Sequence, residues 1–175
     1  MNLQGALSLI REIPDYPKPG ILFQDITPML ANGEALRVVI AEMSQHGQSA
    51  EVIAGIEARG FIFGSALAVH TGRSFVPVRK SGKLPFQTFS AKYGLEYGSD
   101  EIEVHVDAFH PNQKVLLVDD VLATGGTIVA AIELARKCGA EVTTVLVLIE
   151  LSFLEGRKRI ADSFPDLEII SLVKV

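Results

Sequence analysis

The sequence predicts an α/β fold, a doubly wound and mostly parallel sheet flanked by helices. Buried apolar strands alternate with helical patterns along most of the 175 residues, and such alternation with right-handed crossovers produces this architecture. Three polar loops follow predicted strands, at 57–60, 79–83 and 119–127. Because the carboxyl ends of parallel strands meet at one edge of a sheet, we expect these loops to form a common ligand site.

The composition fits a single domain over 1–175, with an N-terminal hood at 1–33 and a flexible loop and hairpin at 80–106. Hydrophobic residues make up 48% of the chain, which is typical of a globular protein and not of a disordered one. The formal net charge of −5 argues against nucleic-acid binding, because that needs a basic surface. A single cysteine, the lack of a membrane-length apolar run and the lack of a signal-peptide pattern predict a cytoplasmic protein.

The N-terminal part predicts two helices separated by a proline-rich segment. Apolar residues at helical spacing predict an amphipathic helix over 3–13, and the prolines between 14 and 19 are expected to end it. The apolar segment 20–29 is expected to pack as a hood or an edge segment. A second helix is predicted over 33–46.

The rest of the chain predicts the main sheet and its helices. Two segments, 88–93 and 101–106, alternate between apolar and polar residues and predict antiparallel strands. The remaining strands are expected at 51–56, 75–79, 115–118, 142–149 and 167–173, with helices at 61–71, 127–137 and near 154–161.

The central motif is KVLLVDDVLATGGT, at 114–127. It predicts a buried strand, a loop of small residues and the beginning of a helix, whose unpaired N–H groups and positive dipole end favour a phosphate. Asp119 and Asp120 cannot bind the phosphate themselves, since like charges repel, but they could hold sugar hydroxyls or a divalent cation. The predicted phosphate contacts are Ala123, Thr124, Gly125, Gly126 and Thr127.

Two further loops carry basic side chains that suit anions. Arg59 precedes Gly60 at a predicted helix start, where it could bind a pyrophosphate or simply cap a neighbouring element. Arg79, Lys80 and Lys83 could form a mobile clamp on a polyphosphate or a solvated turn.

Several other site types are not indicated. The histidines show no metal-ligand spacing and have no nearby cysteine partner, so no metal site held directly by protein is predicted. The chain contains no nucleophile elbow, Walker loop or Gly-x-Gly-x-x-Gly motif. The acidic pair also differs from that of response-regulator receivers, because it lies at two-thirds of the length and is followed at once by TGGT.

The motif VLLVDDVLATGGT resembles the phosphoribosyl-pyrophosphate signature of type I phosphoribosyltransferases. The segments PDYPKPGILFQDITP, GIEARGFIFG, RKSGKLP and YGLEYG resemble the adenine-specific members, in the same order and across most of the chain. The resemblance implies purine salvage, in which adenine and phosphoribosyl pyrophosphate give AMP and pyrophosphate. It also implies substrate-bound Mg²⁺ and a homodimer. A 6-oxopurine phosphoribosyltransferase and a regulatory protein that binds phosphoribosyl pyrophosphate are the alternatives.

The resemblance also implies a role for individual residues. Glu96 would be the general acid/base, with Tyr97 beside it in a mobile loop. Asp119 and Asp120 would hold the ribose hydroxyls. A cis peptide is implied at Glu57–Ala58. Pyrophosphate would be bound by Arg59, Arg79 and Lys83, with Arg59 and Lys83 acting in catalysis, and the purine would be bound by Leu22, Phe23, Gln24 and Leu122.

One position departs from the family pattern. Gln24 stands where many adenine enzymes carry an arginine. If recognition there uses backbone atoms, the change should be tolerated, whereas a contribution from the side chain would alter affinity or base choice.

Overall fold

The computed structural model describes residues 1–95 and 98–175. These residues form two compact units, Met1–Gln45 and His46–Val175. The first unit contains α1 (Leu3–Leu7), β1 (Arg11–Pro14), β2 (Leu22–Asp25), α2 (Thr27–Ala31) and α3 (Gly33–Met43).

The first unit differs from the sequence prediction at its first helix. The predicted helix over 3–13 ends at Leu7, and Arg11–Pro14 instead forms a strand that pairs antiparallel with β2. Arg11 lies opposite Asp25 in this pairing, and their side chains form an ion pair at 2.6 Å. Pairing with a distant segment therefore overrides the local helical pattern.

Among the described residues, the second unit contains one seven-stranded sheet, three α-helices and a short 3-10 helix at Ser152–Leu154. Most of its elements lie within two residues of their predicted bounds. These are β3 (Val52–Ile56), α4 (Gly60–Thr71), β4 (Ser74–Lys80), β5 (Thr88–Leu95), β6 (Gly98–His105), β7 (Lys114–Leu122), α5 (Gly126–Lys137), β8 (Glu141–Glu150), α6 (Gly156–Ser163) and β9 (Glu168–Lys174).

The strand order confirms the doubly wound architecture. The order is β5-β6-β4-β3-β7-β8-β9. In it, the five neighbouring strands β4, β3, β7, β8 and β9 run parallel. From β3 the chain moves through α4 to one side, and from β7 it moves through α5 to the other side. The winding direction thus reverses between β3 and β7, and the carboxyl ends of these two strands are where such sheets bind their ligands.

The central strands are buried because helices cover both faces of the sheet. All five residues of β3 are buried, as expected for a parallel strand between two helical layers. Two residues of β7, Val115 and Leu117, belong to the same apolar core as Ile128 and Ile132 of α5. This packing fixes where β7 ends and α5 begins.

The predicted hairpin is confirmed at one edge of the sheet. Strands β5 and β6 pair antiparallel, and β6 pairs with the end of β4 through Arg79 opposite Glu103 and Lys80 opposite Ile102. Within 1–95 and 98–175, none of the helices has both the length and the hydropathy of a membrane span.

Candidate active site

A cleft opens at the carboxyl ends of β3 and β7. Its volume is about 370 Å³. It is lined by Ile56, Glu57, Ala58, Arg59, Tyr93, Asp119, Asp120, Val121, Ala123 and Thr127. The cleft therefore brings together two of the three predicted loops, 57–60 and 119–127, with Tyr93 of the hairpin.

A smaller cavity of about 60 Å³ adjoins this cleft and follows the phosphate loop, the name used here for residues 123–127. Gly125 has a φ of +78°, which glycine adopts at low cost, and α5 begins at Gly126. Among the described side chains none caps this helix. The N–H groups of its first turn therefore receive no side-chain cap, and their binding of an anion stays a prediction.

The two adjacent acids lie at the end of β7, which runs to Leu122. Asp120 is 5% exposed, and its Oδ2 lies 2.7 Å from Nε of Arg59. Burial and the neighbouring Asp120 carboxylate raise the pKa of Asp119 well above its usual value of 3.8. Burial also raises the pKa of Asp120, although Arg59 opposes this effect. An acidic pair with one nearby cation is well suited to bind a group with hydroxyls or positive charge.

The loop between β3 and α4 has the peptide geometry that the resemblance implied. The Glu57–Ala58 bond is cis. Arg59, the next residue, directly precedes α4 without a capping hydrogen bond from its side chain, and it lines the cleft beside Asp120. Its side chain is 42% exposed, which leaves it accessible to a ligand in the cleft.

Arg79 and the backbone of Lys80 are held by Glu57. The Nε atom of Arg79 lies 3.2 Å from Oε2 of Glu57, and the N–H of Lys80 donates to the same oxygen at 2.9 Å. Burial would raise the pKa of Glu57, but the hydrogen bonds from Lys80 and Arg79 outweigh it and lower that pKa. Arg79 also donates to the carbonyl oxygen of Lys83 at 3.0 Å. The structure thus joins the predicted loops at 57–60 and 79–83 through one carboxylate.

The loop that carries Lys83 is anchored by Glu103, which is 5% exposed. One oxygen of Glu103 accepts the N–H groups of Lys83 and Leu84, each at 2.9 Å, and the other accepts Thr88 Oγ1 at 3.3 Å. The side chain of Lys83 itself is exposed. The loop backbone is therefore fixed while its cationic side chain projects into solvent.

Tyr93 joins the hairpin to the cleft. Its hydroxyl donates to Asp100 Oδ2 at 3.1 Å, and Lys80 Nζ lies 2.9 Å from the same oxygen. Burial raises the pKa of Tyr93, and the hydrogen bond to Asp100 raises it further. A neutral hydroxyl consequently lines the cleft near Thr127.

The predicted purine contacts fall in two places. In the first unit, Leu22 is exposed, Phe23 is half-buried with its ring edge-on to Tyr16 at 5.2 Å, and Gln24 is 8% exposed. In the second unit, Leu122 is completely buried and lies in the core. Its neighbour Val121 lines both cavities and provides apolar surface in the cleft.

Glu96 and Tyr97, the predicted general acid/base and its neighbour, lie outside the described residues. Their roles stay predictions. Among the described residues, no group of three or more His, Cys, Asp or Glu side chains is placed to hold a metal ion.

Four site residues were missed by the sequence analysis. Val121 and Tyr93 line the cleft, while Glu57 and Glu103 hold the basic loop. Glu57 could have been found, because it is an acid at the carboxyl end of a predicted strand. The other three depend on strand pairing and on the phase of side chains at strand ends, which local sequence does not reveal.

Comparison with known proteins agrees with this geometry. The family described as a phosphoribosyl transferase domain matches residues 25–174. The adenine phosphoribosyltransferase of Symbiobacterium thermophilum is 54% identical over 169 residues, which cover 95% of this chain and 97% of that protein.

Solved structures show the same similarity along the whole chain. The adenine phosphoribosyltransferase of Thermoanaerobacter pseudethanolicus superposes with a TM-score of 0.93 at 47% identity, covering 99% of this chain and 100% of that one. The Saccharomyces cerevisiae enzyme, solved with adenine and an imino-altritol bisphosphate, gives a TM-score of 0.91 at 36% identity, with 97% of each chain covered. The chain therefore belongs to the phosphoribosyltransferase family, among its adenine phosphoribosyltransferases.

Proposed function

We propose that this protein transfers the 5-phosphoribosyl group from phosphoribosyl pyrophosphate to adenine, giving AMP and pyrophosphate in purine salvage. The observation that carries the proposal is the cleft in which a phosphate loop, an acidic pair and Arg59 meet at the reversal of the sheet. The similarity to adenine phosphoribosyltransferases over nearly the whole chain supports adenine as the base.

The sugar phosphate would occupy the two adjoining cavities. The N–H groups at the beginning of α5 and the hydroxyls of Thr124 and Thr127 would bind the 5′-phosphate. Asp119 and Asp120 would accept hydrogen bonds from the ribose hydroxyls. The same carboxylates would stabilise the positive charge that develops on the ribose ring as the bond to pyrophosphate breaks.

The leaving pyrophosphate would be stabilised by Arg59, Arg79 and Lys83. Arg59 lines the cleft, and Glu57 holds Arg79 next to the Lys83 loop. Their positive charge stabilises the transition state because negative charge grows on the leaving group. Closure of the segment around 80–97 would exclude water and so prevent hydrolysis of the activated sugar.

The base contacts are proposed at the positions that the resemblance implies. Phe23 is proposed to stack on the purine, and backbone groups of Leu22 and Gln24 would recognise its edge. Contact between Leu122 and the purine stays a prediction. Val121 is the stronger candidate for the apolar surface, because it lines the cleft while Leu122 is 0% exposed.

Glu96 is proposed to accept the proton that adenine loses as its ring nitrogen attacks C1′. Tyr97 would accompany it in the same loop. Magnesium, bound through the substrate, would neutralise part of the pyrophosphate charge. The donor set fits such an arrangement, since Asp119 and Asp120 place carboxylate oxygens beside the sugar site without a third ligand close by among the described residues.

A homodimer and a cytoplasmic location are part of the proposal. Helix α4 exposes two apolar side chains, Val69 at 86% and Ile62 at 38%. A second copy of the chain covering this face would remove them from water. Sedimentation of the purified protein would show a dimer mass, whereas a monomer at micromolar concentration would remove this part of the proposal.

The deciding experiment is a steady-state assay with phosphoribosyl pyrophosphate and Mg²⁺, offering adenine, hypoxanthine, guanine and xanthine separately. Pyrophosphate release with adenine alone is expected. Turnover with a 6-oxopurine would keep the sugar-phosphate site and change the base. Tight binding of phosphoribosyl pyrophosphate without turnover of any base would favour a regulatory protein.

A further inference from the structure

The phosphate loop packs directly on the beginning of α6, a helix without any recognised motif. Gly156, the first residue of α6, is buried. A Cβ atom there would overlap the carbonyl oxygen of Ala123 and stand 2.9 Å from the amide nitrogen of Gly125. Conversely, a Cβ at Gly125 would stand 2.8 Å from the carbonyl oxygen of Gly156. The two backbones touch, so the loop and the beginning of α6 cannot move independently of each other.

The next residue, Arg157, is held from two strands at once. Its Nε and Nη2 atoms donate to the two carboxylate oxygens of Glu150, at 2.8 and 2.6 Å. Its Nη1 donates to the carbonyl oxygen of Ile169 at 2.7 Å, and Nη2 also reaches Ser171 Oγ at 3.2 Å. Ser171 in turn donates to Glu150 at 2.7 Å. This fork-to-fork arrangement fixes the guanidinium in one orientation.

The carboxylate that holds Arg157 belongs to the strand beside the phosphate loop. Glu150, 4% exposed, ends β8 and pairs in register with Leu122, the last residue of β7. The N–H of Leu151 donates to the carbonyl oxygen of Leu122 at 2.9 Å. The network therefore attaches the beginning of α6 to the same strand end from which the phosphate loop emerges.

We propose that Arg157 is a positioning residue for the sugar phosphate. Through Glu150 and Ser171 it holds Gly156 against the phosphate loop and so fixes the direction of the loop's N–H donors. Four of its five N–H donors bond to Glu150, Ile169 and Ser171, so it acts through the loop and not on the ligand. N–H donors that already point at the anion stabilise it without reorganisation. A displacement of such donors by about 1 Å costs up to about 100-fold in rate.

The inference rests on the proposed function of the phosphate loop, and its test measures the phosphate and the base separately. Binding of ribose 5-phosphate is measured by calorimetry below the melting temperature of each protein, together with KM for phosphoribosyl pyrophosphate and for adenine. For Arg157→Lys and Arg157→Ala we expect both sugar-phosphate constants to rise about 10- to 100-fold. The KM for adenine should stay within about twofold, because the base is bound elsewhere.

Glu168→Gln is the matched control. Thr144 donates to Glu168 at 3.2 Å, linking the same two strands at their opposite ends, and this variant should bind ribose 5-phosphate like the wild type. Ser171→Ala removes one member of the network. If the Arg157 variants do not fold, this variant tests the positioning role in their place. We expect it to weaken ribose 5-phosphate binding several-fold.

The outcomes separate this inference from the proposed function. Failure of the wild type to bind any sugar phosphate would contradict the proposed function itself. Wild-type binding together with unchanged affinity in the Arg157 and Ser171 variants would overturn the positioning role. Equal losses for adenine and for the sugar phosphate would also overturn it, since they would reflect a general structural defect.

Discussion

Gly60 lies against Asp119 where α4 begins. A Cβ at Gly60 would stand 2.9 Å from Oδ1 of Asp119 and 2.9 Å from the carbonyl oxygen of Val118, closer than real Cβ atoms come. The first turn of α4 reaches the acidic pair only because residue 60 has no side chain. This contact ties the loop that carries Arg59 to the strand that carries Asp119 and Asp120.

Replacing Gly60 with alanine should disturb the acidic pair and also destabilise the fold. The added methyl would displace Asp119, and we expect kcat/KM to fall about 10- to 100-fold, with a loss of about 1–3 kcal/mol in the free energy of unfolding. Gly33→Ala is the control, because Gly33 also begins a helix and has no atom within 4 Å of the added Cβ. Wild-type kcat/KM in Gly60→Ala would show that the contact is not needed.

Asp119→Asn should make the protein more stable at neutral pH and less active. The pKa of Asp119 is raised in the folded state by burial and by Asp120. Above pH 3.8 the Asp119 carboxyl loses its proton in the unfolded state before it does so in the folded state. The free energy of unfolding therefore falls as pH rises from 3.8 to the pKa of the folded state. An uncharged amide removes this penalty, so we expect the melting temperature at pH 7 to rise by about 2–4 °C.

The advantage of Asp119→Asn should become small as pH falls below 3.8, where the wild-type carboxyl is mostly protonated in both states. Melting curves at pH 7 and pH 3.5 measure the difference. We expect kcat/KM to fall about 100-fold or more at pH 7, because the carboxylate charge no longer stabilises the ribose ring. A lower melting temperature than wild type at pH 7 would show that the ionised acid stabilises the fold.

The phosphate loop could be predicted from the sequence because it is local. A buried strand, small residues and a helical pattern follow one another without interruption at 114–137, so the pattern places the loop at the N-terminus of a helix. Glu103 could not be predicted in the same way. Its role depends on the register that sets it opposite Arg79, a pairing between distant strands that local patterns do not specify.

Two other differences have physical causes of the same kind. The helix predicted over 3–13 stops at Leu7, because the next residues pair with β2. The strand β7 continues to Leu122, beyond the predicted end at 118, so the phase of its last side chains puts Leu122 in the core and Val121 in the cleft. The role of Gly156 could not be predicted, because its contacts with Gly125 and Ala123 join residues 31 and 33 positions apart in the chain.

Lys83→Ala should weaken the stabilisation of pyrophosphate without affecting the fold. Its side chain is exposed, so we expect an unchanged melting temperature and a fall of about 10- to 100-fold in kcat/KM. An unchanged kcat/KM would indicate a solvated turn. Lys92→Ala provides a control at another exposed lysine of the hairpin.

Glu103→Gln should affect both stability and activity. The carboxylate accepts the N–H groups of Lys83 and Leu84, and the amide would present only one oxygen to them and to Thr88. Hydrogen bonds to a charged group contribute about 1.5–3 kcal/mol each, so we expect a lower melting temperature together with a reduced kcat/KM. Retention of both values would show that the loop does not depend on Glu103.

Glu96→Gln tests the proposed proton acceptor. An amide cannot take a proton from adenine, so kcat should fall about 100-fold or more while KM for phosphoribosyl pyrophosphate stays near the wild-type value. The acidic limb of the pH profile of kcat should also flatten. Turnover close to wild type would remove Glu96 from the mechanism and direct attention to other groups in the cleft.

Glu150→Gln should change the acid stability of the fold. The hydrogen bonds from Arg157 lower the pKa of Glu150 from 4.5 to about 2 in the folded state. The stabilisation that this carboxylate provides is therefore complete above pH 4.5 and is lost as pH falls towards 2, since the unfolded state takes up the proton first.

The variant should melt below the wild type at pH 7, because a half-buried guanidinium loses its charged partner. The difference should shrink steadily between pH 4.5 and 2 as the wild-type carboxylate is protonated. Thermal melting across this range, with Glu168→Gln as the control on the same strands, measures the effect. A constant difference between wild type and Glu150→Gln at all these pH values would show that the loss comes from packing and not from the ionised pair.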